Sequence, residues 1–351
     1  MNRIKFQKLS KLDPGDRVAI ISPSFAGPGK WPAVYQLGLS RIKEEFGLIP
    51  VEYPSTSKLG ASFEEKSKDI ISAFSDSEIK AVISTIGGDD QIAYIEKYLT
   101  PHREIFINNP KPFFGYSDNT QLINFLWLNG VASYYGGCVF TEFAMNGSMD
   151  LFTVDYLKKA FFESGRVSLT ASQTFNDEGL NWNDDSNLSK KRRHQINEGW
   201  YWDGNLVSEG IIWGGCIESI DDLLRNNRQI PTLEQFEDIV LIAESSEEMP
   251  TADYVSRVFR ALGERGIIER LKAVLVGRPK AWDYDRPNND KQKAEYKKQQ
   301  REYILNTIRV YNQTIPVVQN LDFGHTAPQI PMPIGRTAKI DPVTKQISID
   351  F

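Results

Sequence analysis

An α/β fold is expected for this 351-residue chain on three grounds. Short β-branched runs alternate with segments of helical spacing through the N-terminal half, which is the pattern of βαβ units and a mainly parallel sheet. Glycine pairs and small polar residues follow those runs, at the carboxyl ends where such sheets gather functional groups. Near residues 165–175 the character changes, which places a domain boundary there.

Taken in order, residues 17–22 (RVAIIS) form a β-branched run bounded by Pro14-Gly15 and Pro23, a buried strand. Residues 31–46 have helical spacing, and 50–53 are short and extended. An amphipathic helix is expected over 62–75 and a strand over 81–86, ending in Gly87-Gly88-Asp89-Asp90. A helix resumes over 91–98. Residues 112–115 and 132–135 are further strands, with a helix at 120–128 between them. Residues 167–174 alternate like a half-exposed strand. The polar stretch 176–197 is long enough to be either functional or disordered, and it carries Trp182 and the basic run 190–193. Strands are expected at 206–213, 239–243, 273–277 and 317–321, the last of them leading into DFGHTAP. Helices are expected at 252–264 and, as a charged solvated face, at 291–309.

Composition narrows the function. A net charge of −5 gives no general pull toward nucleic acid or anionic membranes. No apolar run reaches the length of a membrane helix, and the N-terminus lacks an apolar signal region, so a cytoplasmic protein is expected. Cys138 and Cys216 each follow a Gly-Gly pair and read as small buried side chains, without the paired Cys/His spacing of a zinc site. No metal or cofactor is expected.

The stretch KPFFGYSDNT brings an apolar run to a Gly, a Ser and then a helix, which is how a chain exposes a serine hydroxyl above a sheet. The second glycine of the G-x-S-x-G turn is missing, and capping of the next helix by Ser117 or Asp118 is the competing explanation. Of three histidines only His325, in the loop after a core strand, is well placed to serve as a base. Glu244 ends the buried run IVLIA, where a carboxylate needs a partner, and it is the candidate to orient that histidine. Glu247 and Glu248 read as ordinary exposed acids. Backbone N–H groups of Gly88 and Asp118 are the candidate oxyanion donors.

These segments, together with LDPGDRVAIISPS, STIGGDD, IIWGGCIES, LIAESSE and NLDFGHTAPQIPMPIG, resemble the LD-carboxypeptidase and microcin C immunity peptidases, serine peptidase family S66. The similarity covers nearly the whole chain. It implies an N-terminal α/β domain (1–165) with the nucleophile and a linker with a tryptophan-bearing loop (166–205). A C-terminal β-rich α/β domain (206–351) would supply the acid and the histidine, with the active site in the interdomain cleft. The family triad Ser–Glu–His falls on Ser117, Glu244 and His325, and homodimers are expected. STIGGDD and the tryptophan-bearing insertion look like the immunity branch, whose substrates are small peptidyl- or aminoacyl-nucleotides rather than nucleic acid polymers. Trp182 and Trp200 are candidates for stacking an adenine, with core packing as the alternative. Three other functions remain open. They are cleavage of the L,D bond of cell-wall tetrapeptides, esterase activity, and non-enzymatic ligand binding on the same scaffold.

Overall fold

A computed structural model of the chain describes residues 5–351. The first sheet contains β1 (Arg17–Ile21), β2 (Ile49–Glu52), β3 (Ile79–Ser84), β4 (Phe113–Gly115) and β5 (Ser133–Tyr135). They run parallel in the order β2-β1-β3-β4-β5. Their side chains are buried from β1 inward because helices cover the sheet, which is why they read as continuous apolar runs. The helix Phe63–Ser75 starts on a capping box in which Ser62 and Glu65 satisfy one another's backbone N–H groups.

The chain continues through β6 (Arg166–Ser168) and a hairpin of β7 (Thr174–Phe175) and β8 (Gln195–Ile196). There follow β9 (Tyr201–Asp203), β10 (Ser208–Cys216), β11 (Ile239–Glu244), β12 (Ala273–Gly277) and β13 (Val317–Leu321), and finally β14 (Met332–Ile334), β15 (Thr337–Asp341) and β16 (Gln346–Asp350). The second sheet has the order β6-β16-β15-β10-β11-β12-β13-β9. Its centre, β10 to β13, is parallel, and its flanks are antiparallel. Strand β14 instead returns to the first sheet and pairs antiparallel with β5, so the C-terminal segment ties the two sheets together.

Several expectations need correction. The run 317–321 is not the last strand, because β14, β15 and β16 follow it. The expected helix 91–98 is a 3-10 turn, Gln91–Ala93, followed by a single α-turn, Ile95–Tyr98. The polar stretch 176–197 is ordered: β7 and β8 close its ends, and a 3-10 helix, Asp185–Ser189, lies within it. Its basic run is an exposed charged segment at Lys190, Lys191 and Arg193, the last pairing with Asp290 at 2.9 Å, while Arg192 alone turns inward to pair with Asp150 at 2.9 Å. Cys138 and Cys216 are free and buried, as expected. No helix is long and apolar enough to cross a membrane among the described residues.

Candidate active site

The carboxyl ends of β4 and β11, the loop after β13 and the backbone after β3 converge on one place. Ser117 follows β4 by two residues and has φ +63°, a left-handed conformation that a side-chain-bearing residue adopts at a cost. Neither it nor Asp118 caps the next helix, which excludes that alternative. The Asp118 carboxylate turns away instead, accepting from the Ser24 hydroxyl and, at 3.1 Å, from the Gln91 N–H. Burial pushes that carboxyl up to about 6 against the pull of those two hydrogen bonds.

The strained turn is held from both sheets. The Thr120 hydroxyl donates to the Ser117 carbonyl at 2.6 Å, and the Cys216 N–H, at the end of β10, donates to the Thr120 hydroxyl oxygen at 3.0 Å. Gly87 packs directly on the serine: a Cβ there would stand 2.8 Å from Ser117 Cβ and 3.0 Å from its Oγ. Only the absence of a side chain allows this approach. The same Cβ would lie 3.4 Å from the Asp118 nitrogen, so the Gly87-Gly88 backbone and the Asp118 N–H border the hydroxyl together.

Glu244 ends β11 and is buried. Its Oε2 accepts from His325 Nδ1 at 2.8 Å, and its Oε1 accepts from the Tyr135 hydroxyl at 2.5 Å. The Tyr135 oxygen accepts in turn from the Ser117 N–H at 3.2 Å. A continuous hydrogen-bonded chain therefore runs from the serine backbone through Tyr135 and Glu244 to the imidazole. Tyr135 was not legible as a site residue in the sequence. Burial, then the neighbouring Glu244 charge, pushes its phenol well above the ordinary value, so it remains a donor.

His325 is carried by a loop anchored at Asp322, which takes the Arg278 guanidinium, the Ser172 N–H at 3.1 Å and the Trp200 indole N–H at 3.0 Å. The ring packs edge-on against Tyr116. Its second nitrogen does not meet the serine in this structure. Nε2 lies 3.0 Å from Glu247 Oε2, which corrects the view of Glu247 as a bystander. Burial alone would lower the imidazole pKa, but the Glu244 and Glu247 charges outweigh it and hold His325 up at about 10. Burial likewise would raise Glu247, yet the His325 charge and hydrogen bond bring it down to about 2.

Ser117, His325, Glu247 and Gly88 all line a cavity of about 590 Å³, a size suited to a small organic ligand. One wall is aromatic: Trp182 meets Trp31 at 5.0 Å and Phe140 at 5.4 Å between ring centres, both edge-on. Trp200 is not part of this lining. Its indole is committed to Asp322 and it packs on Trp202, so it supports the His325 loop. Among the described residues, no group of three or more His, Cys, Asp or Glu is placed to hold a metal ion.

Comparisons with known proteins bear on this geometry. A family model described as the LD-carboxypeptidase N-terminal domain matches residues 18–136, and one described as the LD-carboxypeptidase C-terminal domain matches residues 209–340. The chain belongs to peptidase family S66. Among family members, the chain is 27% identical to a putative carboxypeptidase of Treponema pallidum, covering 97% of this chain and 94% of that one. It is 26% identical to the microcin C7 self-immunity protein MccF of Escherichia coli, covering 78% and 74%. Of solved structures, an MccF-like protein from Streptococcus pneumoniae in complex with AMP superposes with a TM-score of 0.82. That match is at 27% identity and covers 96% of this chain and 99% of the other.

Proposed function

We propose that this S66 member is a serine amide hydrolase acting on small aminoacyl- or peptidyl-nucleotides. The observation that carries the catalytic part is that His325, paired with the buried Glu244, lines the same cavity as Ser117 on its strained turn. In this mechanism Ser117 Oγ attacks the amide carbonyl while His325 Nε2 takes its proton. The imidazolium then gives that proton to the leaving amine as the C–N bond breaks, and water cleaves the acyl-serine by the same route in reverse. Glu244 fixes Nδ1 as the donor and balances the imidazolium charge. The N–H groups of Gly88 and Asp118 receive the oxyanion, a contribution of about 2.7–4 kcal/mol per donor in comparable sites. One movement is required: Glu247 must leave Nε2 before the serine can use it.

The nucleotide part rests on the aromatic wall at Trp182 and on the AMP complex of the pneumococcal relative. The second reading is L,D-carboxypeptidase activity on cell-wall tetrapeptides, which the family-model descriptions favour. A paired assay separates the two, offering an aminoacyl sulfamoyl adenosine in one arm and a muropeptide tetrapeptide in the other. Cleavage of the tetrapeptide alone overturns the nucleotide reading. Ser117→Ala is expected to lose turnover by at least about 10³-fold with its melting temperature retained, the loss being that of a nucleophile acting with its base as a unit. Undiminished hydrolysis by a contaminant-free preparation of that variant refutes the serine mechanism.

A further inference from the structure

Glu247 stands where a bystander should not. Its carboxylate is within hydrogen-bond distance of the nitrogen that has to serve the serine, and it is half-exposed to the cavity. The backbone around it is held in place. The Ser246 hydroxyl donates to Glu218 Oε1 at 2.7 Å and the Ser246 N–H to the same oxygen at 3.1 Å, while the Arg286 guanidinium donates to the Glu248 carbonyl. Only the Glu247 side chain is left to turn. A carboxylate that gives up an imidazolium needs another cation, because a charge left without a partner beside a second carboxylate is costly. Lys280 lines the same cavity and is the protein's own alternative partner, its pKa lowered by burial against the pull of the Glu247, Asp283 and Asp177 charges, so it is shared among three carboxylates.

The reach of Glu247 defines the group it can meet. Nε2 must come within about 2.6–3.2 Å of the attacking oxygen. That oxygen must come within about 3–3.5 Å of the carbonyl carbon. A carboxylate beginning at Nε2 and turning about its own side chain therefore stays within a few bond lengths of the scissile carbonyl. The substrate cation at that distance is an ammonium on the carbon next to the carbonyl.

We propose that Glu247 reads the α-ammonium of the acyl residue on the carbonyl side of the scissile amide, and that by moving to it the side chain frees His325 Nε2 for Ser117. The proposal rests on the hydrolase reading above, narrows its substrates to aminoacyl-nucleotides with a free α-amine and excludes peptidyl ones, and adds the order of events. A free-amine substrate offers the carboxylate a charge-assisted hydrogen bond in exchange for the one it gives up. An Nα-acylated substrate offers no cation at the carbon next to the carbonyl, so Glu247 stays on the imidazole and Nε2 stays blocked.

The test uses Ser117→Ala as a binding form, with alanyl, glutamyl and lysyl sulfamoyl adenosines and the Nα-acetyl derivative of each. Calorimetry is expected to show the free amines binding at least about tenfold tighter, as for a hydrogen bond between charged groups. The isosteric change Glu247→Gln in the same background should remove that difference. Nitrogen-15 NMR of the histidines, with His325 assigned by His325→Gln, should show the His325 pKa falling on addition of a free amine and not of its acetyl form. Equal binding of both forms, a preference that survives Glu247→Gln, or no binding of any ligand overturns the proposal. Turnover by the unmodified enzyme is read separately. A binding preference without hydrolysis keeps the role of Glu247 and sinks the hydrolase reading. Hydrolysis of both forms at equal kcat/KM keeps the hydrolase reading and sinks the role of Glu247.

Discussion

The hydroxyl of Tyr135 touches both halves of the proposed catalytic machinery. It accepts from the Ser117 N–H and donates to Glu244 Oε1, leaving Oε2 for His325. Tyr135→Phe removes one hydrogen bond to a buried carboxylate, worth about 1.5–3 kcal/mol where measured for charged acceptors. The expected outcome is a fall in kcat of about tenfold or more with KM little changed, because substrate contacts are untouched; a KM effect alone would assign Tyr135 to binding. A second prediction concerns pH. His325 must be neutral to accept a proton, so kcat/KM rises as pH rises through its pKa in the free enzyme. Two carboxylates hold that pKa at about 10. Glu247→Gln removes one of them, so the rising limb should move to lower pH, and an unmoved limb would mean that Glu247 does not face the imidazole in solution. The triad candidates were legible from position: the ends of buried runs and a scarcity of histidines single out Ser117, Glu244 and His325. Glu247 was not legible, because one acid among several in ESSEE carries no periodic or burial signal. Tyr135 was hidden for the opposite reason, as one more aromatic in an apolar strand.

At the scale of elements, the carboxylate is delivered by β11 and accommodated by the glycines opposite it. Gly277 ends β12, and Gly324 lies in the His325 loop at φ +95°. A Cβ on Gly324 would stand 2.4 Å from Glu244 Oε2. Gly324→Ala therefore combines an unfavourable backbone conformation with a collision at the atom that binds His325. Overpacking of this kind costs about 1–3 kcal/mol. The variant should show both a lower denaturation midpoint and a severe loss of kcat, whereas retention of full activity would mean that the His325 loop relaxes without disturbing the pair. The central strands β10 to β13 were readable because burial on both faces makes them continuous apolar runs. The late strands β15 and β16 alternate buried and partly exposed residues over only five positions each, and β14 contains a proline, so local pattern gave them little weight. Although β15 and β16 pair with each other locally, β14 and β15 also need partners in distant chain, β5 and β10, which no local window contains.

Across the whole molecule, the cavity exists only because segments far apart in sequence meet. Trp31 comes from the loop after β1, Phe140 from the segment after β5, and Trp182 from the long insertion between β7 and β8. The insertion is fastened to the body of the protein at several points. The Trp31 indole donates to Asn183 Oδ1 at 2.9 Å, and the Asn146 amide to the Asn187 carbonyl at 2.7 Å. The buried Lys293 ammonium holds Asp177 at 2.8 Å and Glu178 at 2.6 Å. The wall is thus largely preorganised before a ligand arrives, so ordering it need not be charged against binding. An aromatic face contributes about 1–3 kcal/mol per stacked base. Trp182→Ala should therefore weaken AMP binding by about five- to 150-fold, with the melting temperature little changed because Trp182 is only partly buried. It should leave affinity for a base-free aminoacyl amide nearly as it was. Equal weakening of both ligands would mean that Trp182 holds the cavity's shape for any occupant. No effect on AMP would move the nucleobase to another wall and remove the support that the aromatic cluster gives to a nucleotide substrate.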